Sequence, residues 1–428
     1  MKKIVLGIVL FVSLSVQGQK ALKVISAKET ERVEGVLASD EMEGRKTFSS
    51  GIEKAAAFIA SEFEKNGLQH LNGEKDHLQR FSMIRTRSIK QHVTVNGKTI
   101  EHSNLLIIST KSALSINEQS GYDQVVIGKG VNFINEARKA LSSKNNTIVF
   151  ADTSYASTLK RLERVRSQIF SSQPDIIFVL TTEKQTVFSI EASQEVIEMP
   201  LSNIVGIIPG KTKPNEYVIF SAHYDHLGIS TRNMQNNDSI YNGANDDAAG
   251  TAAVIMLSKY FKKLNNNERT LVFAAFTAEE IGGFGSQHFS RQFDPSSVVA
   301  MFNIEMIGTE SKWGKNSAYI TGFEKTDMGS ILQKNLENTG FTFHPDPYPD
   351  QQLFYRSDNA TLARLGVPAH TISTSKMDNE PNYHKASDEI STIDLQNMTA
   401  IIKAIAISSR GIVSGKETPT RVDTSALK

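Results

Sequence analysis

Residues 217–228 read YVIFSAHYDHLG, an uninterrupted apolar run that ends in two histidines and an aspartate. A run of this length bounded by polar residues is typical of a buried strand. Downstream, further strands are predicted at 270–276, 298–304 and 367–372, and helices at 251–264 and 392–407. Such alternation indicates a mostly parallel sheet with helices on both faces, so we predict an α/β fold.

Side chains that bind metals follow the ends of these predicted strands. They are His223, Asp225 and His226 after the first, Glu279 and Glu280 after the second, Glu305 after the third, His384 in the loop after the last, and Asp246 and Asp247 in a glycine-bounded turn that opens a helix. In open α/β sheets, ligands bind beyond the carboxyl ends of the strands, so all of these residues fall on one edge.

Taken singly, each of these residues has an ordinary structural explanation. A histidine at a strand end is more often structural, paired glutamates favour a helix start, and paired aspartates favour a turn or helix cap. Glu305 is harder to explain in this way, because an acid that closes an apolar run is costly to bury without a cation. Their coincidence on one edge favours a metal site.

These residues resemble the co-catalytic zinc exopeptidases, which include secreted bacterial leucyl aminopeptidases and plasma glutamate carboxypeptidase. The resemblance rests on residues 37–44 (LASDEMEG), 203–206 (NIVG), 221–228 and 383–384. It implies that Asp246 bridges two zinc ions, that Glu280 and His384 complete one zinc site and His223 and Glu305 the other, that Glu279 is the general base, and that Asp225 orients the His223 ring. It also implies a cis peptide bond between Asp246 and Asp247.

Two positions depart from the pattern of this family. Glu305 stands where the family usually has aspartate, and Asn359 stands where relatives often have histidine. Asn359 lies in a segment that resembles a substrate-facing loop, so the departure bears on substrate preference. His226 and Asp388 are predicted to support the site without binding metal.

The resemblance predicts an exported metallo-aminopeptidase that removes N-terminal residues from peptides with a metal-bridging water. Imidazole and carboxylate ligands suit zinc. Alternatives are a dipeptidase or carboxypeptidase on the same scaffold, a glutaminyl cyclase, which resembles this fold but uses one zinc ion, and a catalytically inactive receptor-like module. The chain has no G-x-S-x-G motif, which disfavours a serine hydrolase.

Composition and the N-terminal residues limit which binding partners and which cellular compartment are expected. The net charge is +1, which gives no electrostatic reason to expect nucleic acid or an anionic membrane as a partner. There is no cysteine, so the chain forms no disulfide and lacks the residue that anchors a lipoprotein. Met1-Lys2-Lys3 and the apolar run 4–16 predict a signal peptide over residues 1–18, and hence a periplasmic or extracellular protein without a membrane anchor.

The remaining domain boundaries follow changes in pattern along the chain. We predict the N-terminal part of the peptidase domain at 19–87, an inserted small α/β domain at 88–200, the main peptidase domain at 201–414, and a disordered tail at 415–428. The insertion resembles, by its place in the chain and its alternating pattern, the protease-associated domain that many relatives carry as a lid.

Overall fold

The structure is a computed structural model that describes residues 18–183, 187–232, 234 and 237–425. The predicted signal peptide therefore lies outside the described residues, apart from Gly18. Two compact units make up the chain: Met1–Arg80 together with Ser202–Lys428, and Phe81–Leu201. Within the described residues, no helix has both the length and the apolar character needed to cross a membrane.

Strands and helices are labelled here in chain order. The strands are β1 (Leu78–Val95), β2 (Lys98–Thr99), β3 (Leu105–Ile108), β4 (Ala113–Asn117), β5 (Asp123–Ile127), β6 (Thr147–Ala151), β7 (Ile169–Phe170), β8 (Ile176–Leu180), β9 (Phe188–Ile208), β10 (Lys213–His223), β11 (Gly228–Ile229), β12 (Ile240–Tyr241), β13 (Arg269–Phe276), β14 (Val298–Ile304), β15 (Ser317–Ile320), β16 (Thr342–Pro345) and β17 (Ala369–Ser373). The α-helices after residue 26 are α1 (Ala27–Leu37), α2 (Ser50–Lys65), α3 (Phe133–Leu141), α4 (Ala156–Leu162), α5 (Ala249–Leu264), α6 (Phe284–Ser290), α7 (Met328–Asn335), α8 (Ala360–Ala363), α9 (Leu395–Ser408) and α10 (Arg410–Val413).

The first unit is built on a mixed sheet in which strands follow the order β16-β15-β17-β14-β10-β13-β9. The four central strands β17, β14, β10 and β13 run parallel, whereas β9 pairs antiparallel with β13, and β15 pairs antiparallel with β17 but parallel with β16. Phe220 of β10 stacks against Phe302 and Phe273 on the flanking strands, with ring centroids 4.8 and 5.5 Å apart. The predicted α/β fold with a mostly parallel sheet is confirmed.

Helices cover both faces of this sheet. On one face α5 is buried along almost its whole length and packs with α1, α2 and α9, so side chains such as Met256 and Leu257 are fully enclosed. On the other face Phe289 of α6 and Leu362 of α8 pack against Ile219 of β10 and its neighbours. Each large apolar side chain buried in this way contributes about 1.5–3 kcal/mol of transfer free energy.

The second unit contains a four-stranded sheet in the order β3-β8-β6-β5. Strands β5, β6 and β8 are parallel, and α3 and α4 contribute Phe133, Ala137 and Leu159 to the same apolar core. This unit begins at Phe81, whereas the predicted boundary is residue 88. The prediction missed the start of β1 at Leu78, because its mixed polar and apolar residues give no strand signal.

The described part of the predicted disordered tail is packed against the first unit, so that prediction differs from the structure. Buried Arg269 donates from Nη1 to the carbonyl oxygen of Glu417 and from Nη2 to Thr418 Oγ1, each at 2.6 Å. Val422 is 5% exposed, and its N–H donates to the Gly366 carbonyl oxygen at 3.1 Å. Most of these contacts use backbone atoms, so the polar composition of the segment gave no sign of them.

Candidate metal centre

The predicted ligands lie at the carboxyl edge of the parallel strands. His223 is the last residue of β10, and Glu305 directly follows β14. Left-handed backbone recurs here, with φ of 60° at Ala278, 53° at Met306 and 55° at His384. Such conformations cost a non-glycine residue about 1–3 kcal/mol each and persist only where the surrounding structure enforces them.

Asp246 lies at the centre of the cluster and contacts both predicted histidine ligands. Its Oδ1 lies 3.3 Å from His223 Nε2, and its Oδ2 lies 3.3 Å from His384 Nε2. Glu280 Oε2 is also 3.3 Å from His384 Nε2. The structure thus brings four of the five predicted ligands into direct contact, with one carboxylate oxygen of Asp246 facing each histidine. The peptide bond between Asp246 and Asp247 is cis, as the resemblance implies.

The fifth predicted ligand, Glu305, lines the same cavity as Asp246 and Glu280. Its side chain is partly exposed, but its Oε2 is buried and has no hydrogen-bond partner among the described residues. A buried acceptor left in this state costs about 1–3 kcal/mol. A cation at this place would remove that cost, so Glu305 fits a metal ligand.

The histidine geometry gives a second test of whether the residues fit zinc. His223 Nδ1 lies 3.1 Å from the backbone oxygen of Asp225, which can only accept, so Nδ1 carries the proton. In the neutral ring the lone pair of Nε2 then faces the carboxylate of Asp246. Two acceptors in contact require a cation between them, and imidazole nitrogen with carboxylate oxygen is a donor set that zinc prefers.

Asp225 contacts the His223 ring through its backbone oxygen, and its carboxylate has other partners. Its carboxylate accepts hydrogen bonds from the backbone N–H groups of Glu279 and Glu280, at 3.0 and 3.3 Å, and from Thr47 Oγ1 at 3.1 Å. The His223 ring meets the backbone oxygen of Asp225 more closely than its carboxylate, which is 3.8 Å away. Asp225 therefore fixes the position of both glutamates, while the His223 ring is held by the Asp225 backbone.

His226, which is predicted to support the site, is in direct contact with two of the predicted ligands. Its Nδ1 is 2.7 Å from Glu280 Oε1 and 3.8 Å from Asp246 Oδ2. The short contact to Glu280 is a hydrogen bond that orients this carboxylate, leaving Oε2 directed towards His384. His226 is buried, and its other ring nitrogen has no hydrogen-bond partner among the described residues.

Arg45 was not identified from the sequence, although it directly follows the 37–44 motif. The fully buried guanidinium donates to four carbonyl oxygens, those of Leu37 (2.7 Å), Tyr224 (2.8 Å), Asn242 (2.5 Å) and Gly243 (2.9 Å). These bonds join α1, the strand end after His223 and the turn before Asp246. The sequence carries no signal for it, because its partners are backbone carbonyl oxygens, which every residue supplies.

The carboxylates of the centre have shifted proton affinities. Burial by itself raises the pKa of Glu280, but hydrogen bonds from His226 and His384 outweigh it and lower the pKa to about 2. Burial raises the pKa of Glu279 well above its ordinary value, and the negative charges of Glu305 and Asp358 add to the effect. Burial likewise raises the pKa of Asp358 to about 7. Several carboxyl groups are therefore crowded together in a buried site, as expected of a site built around cations.

A cavity opens onto these groups. Besides the acidic residues, its lining includes Arg356, Ser357, Met377 and Tyr383. Asn359 does not line it: the side chain is buried and donates to the carbonyl oxygens of Phe354 and Ala369, at 2.8 and 3.0 Å. The segment faces the cavity as expected, but the departure at Asn359 serves packing and not substrate contact.

Comparisons with known proteins agree with this geometry. Residues 203–408 match the model of peptidase family M28, so the chain contains an M28 domain. That range holds all the predicted ligands, and the match defines a domain of the metallo-exopeptidase class. Aminopeptidase YwaD of Bacillus subtilis is 29% identical over 142 residues, which cover 32% of this chain and 28% of that protein.

Two further similar proteins are described as a zinc metalloprotease and a leucine aminopeptidase. A probable zinc metalloprotease of Pyrenophora teres f. teres is 28% identical over 134 residues, covering 31% of this chain and 27% of that protein. Leucine aminopeptidase 1 of Chaetomium globosum is 26% identical over 212 residues, covering 46% of this chain and 50% of that protein. The chain thus spans half or less of the length of these curated relatives.

Solved structures share the fold over most of the chain. A zinc aminopeptidase from Bacillus subtilis aligns with a TM-score of 0.54 and 17% identity, covering 92% of this chain and 97% of that one. An aminopeptidase from Aneurinibacillus sp. strain AM-1 aligns with a TM-score of 0.54 and 14% identity, covering 92% and 95%. At these identities the likeness concerns the fold alone.

Proposed function

We propose that this protein is a zinc exopeptidase with two metal ions, and that it acts as an aminopeptidase on peptides. The observation that carries the proposal is the placement of Asp246, whose two carboxylate oxygens face His223 and His384 separately. One carboxylate shared between two imidazoles is the arrangement expected of a bridging ligand. Glu280 would complete the site on the side of His384, and Glu305 the site on the side of His223.

Zinc bound in this way would lower the pKa of a bound water and polarise the scissile carbonyl. We assign proton transfer to Glu279, which lines the cavity beside Glu280 without contacting a histidine ligand within hydrogen-bond distance among the described residues. Its raised pKa gives the carboxylate the proton affinity that a general base needs. The same carboxyl then hands the proton to the leaving amine.

The charge of the cavity and the similar proteins named above both support the aminopeptidase assignment. Acidic side chains and the phenol of Tyr383 surround the centre, and a positively charged N-terminal amino group suits that environment. The relatives named above include two aminopeptidases. Export to the periplasm or beyond, inferred from residues 1–18, is likewise part of this proposal.

One observation favours a second candidate, a dipeptidase or carboxypeptidase. Arg356 lines the same cavity. Guanidinium groups often bind a carboxylate through two parallel hydrogen bonds. A peptide C-terminus could therefore be held where the aminopeptidase proposal places the body of the substrate.

Blocked peptides separate these candidates. The zinc-loaded protein is offered one tetrapeptide in four forms, with the N-terminus free or acetylated and the C-terminus free or amidated. An aminopeptidase cleaves both forms with a free N-terminus, whereas a carboxypeptidase cleaves both with a free C-terminus. A free dipeptide cleaved alone would indicate a dipeptidase. Conversion of an N-terminal glutamine peptide into the pyroglutamyl peptide, with loss of ammonia, would indicate a cyclase, and no turnover at all would overturn the enzymatic proposal.

A further inference from the structure

A second cluster of metal-binding side chains lies in the first unit, outside the cavity described above. It consists of Glu64 at the end of α2, His70 in the following loop, and His77 just before β1. Glu64 Oε2 lies 3.4 Å from His77 Nε2 and 3.9 Å from His70 Nε2. The two imidazole rings meet edge to face, with centroids 4.7 Å apart.

The protonation of His77 is fixed by its other nitrogen. Nδ1 lies 3.0 Å from the carbonyl oxygen of Val205, which can only accept, so the proton of the neutral ring is on Nδ1. Nε2 then presents a lone pair. The side chain is 3% exposed, and among the described residues Nε2 has no hydrogen-bond partner, since the nearby Glu64 oxygen does not meet hydrogen-bond geometry.

A buried lone pair that faces a carboxylate calls for a cation between the two groups. The cation is either a proton, which would make His77 an imidazolium ion, or a metal. His70 distinguishes them, because a proton links one ring to one carboxylate, whereas here a second imidazole nitrogen approaches the same Glu64 oxygen. One ligand atom from each residue lies within 4.8 Å of the others, as a shared metal requires.

The spacing suits a small transition-metal ion. Zinc bonds of about 2.0–2.2 Å in a tetrahedral site place neighbouring donor atoms roughly 3.4 Å apart. Glu64 and His77 already have that separation. The side chains of Glu64 and His70 are 74% and 37% exposed, so both can turn to close the remaining distance. The Val205 carbonyl supplies the outer hydrogen bond that zinc-bound histidines usually make.

We propose that Glu64, His70 and His77 bind one zinc ion in a site separate from the candidate metal centre, with water in the fourth position. Val205 belongs to β9, which pairs with β13 next to Ala274. The ion would therefore fasten the end of α2 and the loop after it to the sheet. Its role is structural, since no residue of this cluster lines the cavity.

Zinc content tests the proposal. Wild-type protein and the His70→Ala variant are stripped of metal, dialysed against the same buffered free zinc, and measured by elemental analysis. We expect the variant to bind one equivalent less than the wild type, whatever number the candidate metal centre holds. The control is His102→Ala, which removes an exposed histidine that contacts Gln91. Equal zinc in His70→Ala and wild type would overturn the proposal.

A second pair of measurements guards against misfolding and against the proton alternative. Glu64→Gln changes an exposed side chain and should also lose one equivalent, while both variants keep the peptide turnover of the wild type at saturating zinc. Zinc should raise the melting temperature of wild type by more than that of either variant, because an ion that binds only the folded state stabilises it. If both variants bound as much zinc as wild type, the cluster would not hold a metal ion.

Discussion

The backbone N–H of Asp246 donates to Oδ2 of Asp388 at 3.0 Å, and the N–H of Asn245 donates to Oδ1 of the same carboxylate at 2.9 Å. Asp388 therefore accepts hydrogen bonds from two consecutive backbone N–H groups, those of Asn245 and Asp246. It comes from the loop that also carries His384, so one short segment supplies a predicted ligand and fixes the backbone of another.

Replacing Asp388 with asparagine should weaken metal binding while leaving the fold intact. The amide has the same shape, but its NH₂ group cannot accept, so one of the two backbone N–H groups loses its partner. Loss of such an outer contact costs about 10- to 100-fold in metal affinity or activity. Zinc affinity is measured by competition with a chelating dye. Asp350→Asn, at an exposed position, serves as control, and an affinity equal to wild type would show that Asp388 does not position Asp246.

Glu279→Gln should remove nearly all activity without loss of zinc. The amide cannot take a proton from water, and loss of a general base typically costs about 10²- to 10⁴-fold. Steady-state kinetics and zinc content are measured on the same preparation, with the exposed Glu310→Gln as the matched control. A variant that kept more than a tenth of the wild-type kcat would contradict the role assigned to Glu279.

Glu305→Ala should bind one zinc fewer than wild type, because Glu280 and His384 still hold the other ion. Glu305→Asp should keep the wild-type number with altered affinity, since the shorter side chain must still reach the 2.0–2.2 Å of a carboxylate–zinc bond. Both variants are compared at equal free zinc. Wild-type stoichiometry in the alanine variant would show that Glu305 is not a ligand.

An ion-pair cluster on α1 predicts how stability changes with acid. Hydrogen bonds from Arg32 and then Lys259 hold the pKa of Glu29 at about 2, against the opposing effect of burial. A carboxyl whose pKa is lower in the folded state stabilises the fold above its unfolded pKa, near 4.5, and loses that contribution as the pH falls towards 2. Glu29→Gln should therefore lower the melting temperature at pH 7 and change it little near pH 2.

The control for Glu29→Gln is the same substitution at a glutamate without an ion pair. Glu53→Gln fits, because Glu53 is an exposed residue of α2 for which the structure shows no ion pair among the described residues. Glu310 is unsuitable, because Lys376 lies 3.5 Å from it. Thermal melts at pH 7, 4 and 2.5 give the result. An equal loss for Glu29→Gln at every pH would mean that the side chain acts through packing and not through its charge.

The sequence carried most information where a strand end is joined to a metal-binding side chain. The pattern at 217–228 identified both β10 and His223, because apolar runs and ligands are local signals. The register that brings His384 to Asp246 is not local, since it depends on how β17 pairs with β14, and it was reached through the resemblance. The long strands β1 and β9 were not predicted, because buried and exposed residues alternate irregularly along them.

Supporting contacts were the least predictable part of the site. Arg45 acts on backbone carbonyl groups, and every residue supplies one, so nothing in the sequence marks its partners. The partners of the Asp225 carboxylate could not be predicted for a similar reason, because they are the backbone N–H groups of Glu279 and Glu280. His70 and His77 looked unremarkable in sequence, being separated from Glu64 by a loop without periodic pattern.

The contacts of Arg269 bear on the order in which the chain folds during synthesis. Its guanidinium reaches the Glu417 carbonyl oxygen, which the ribosome adds 148 residues later. Ile412 and Thr418, whose oxygens also accept hydrogen bonds from this guanidinium, are made almost as late, so the first unit reaches its final packing only after that segment is made. The continuous unit Phe81–Leu201 has no such dependence in its own sequence and is complete earlier, so a folding nucleus can form there first.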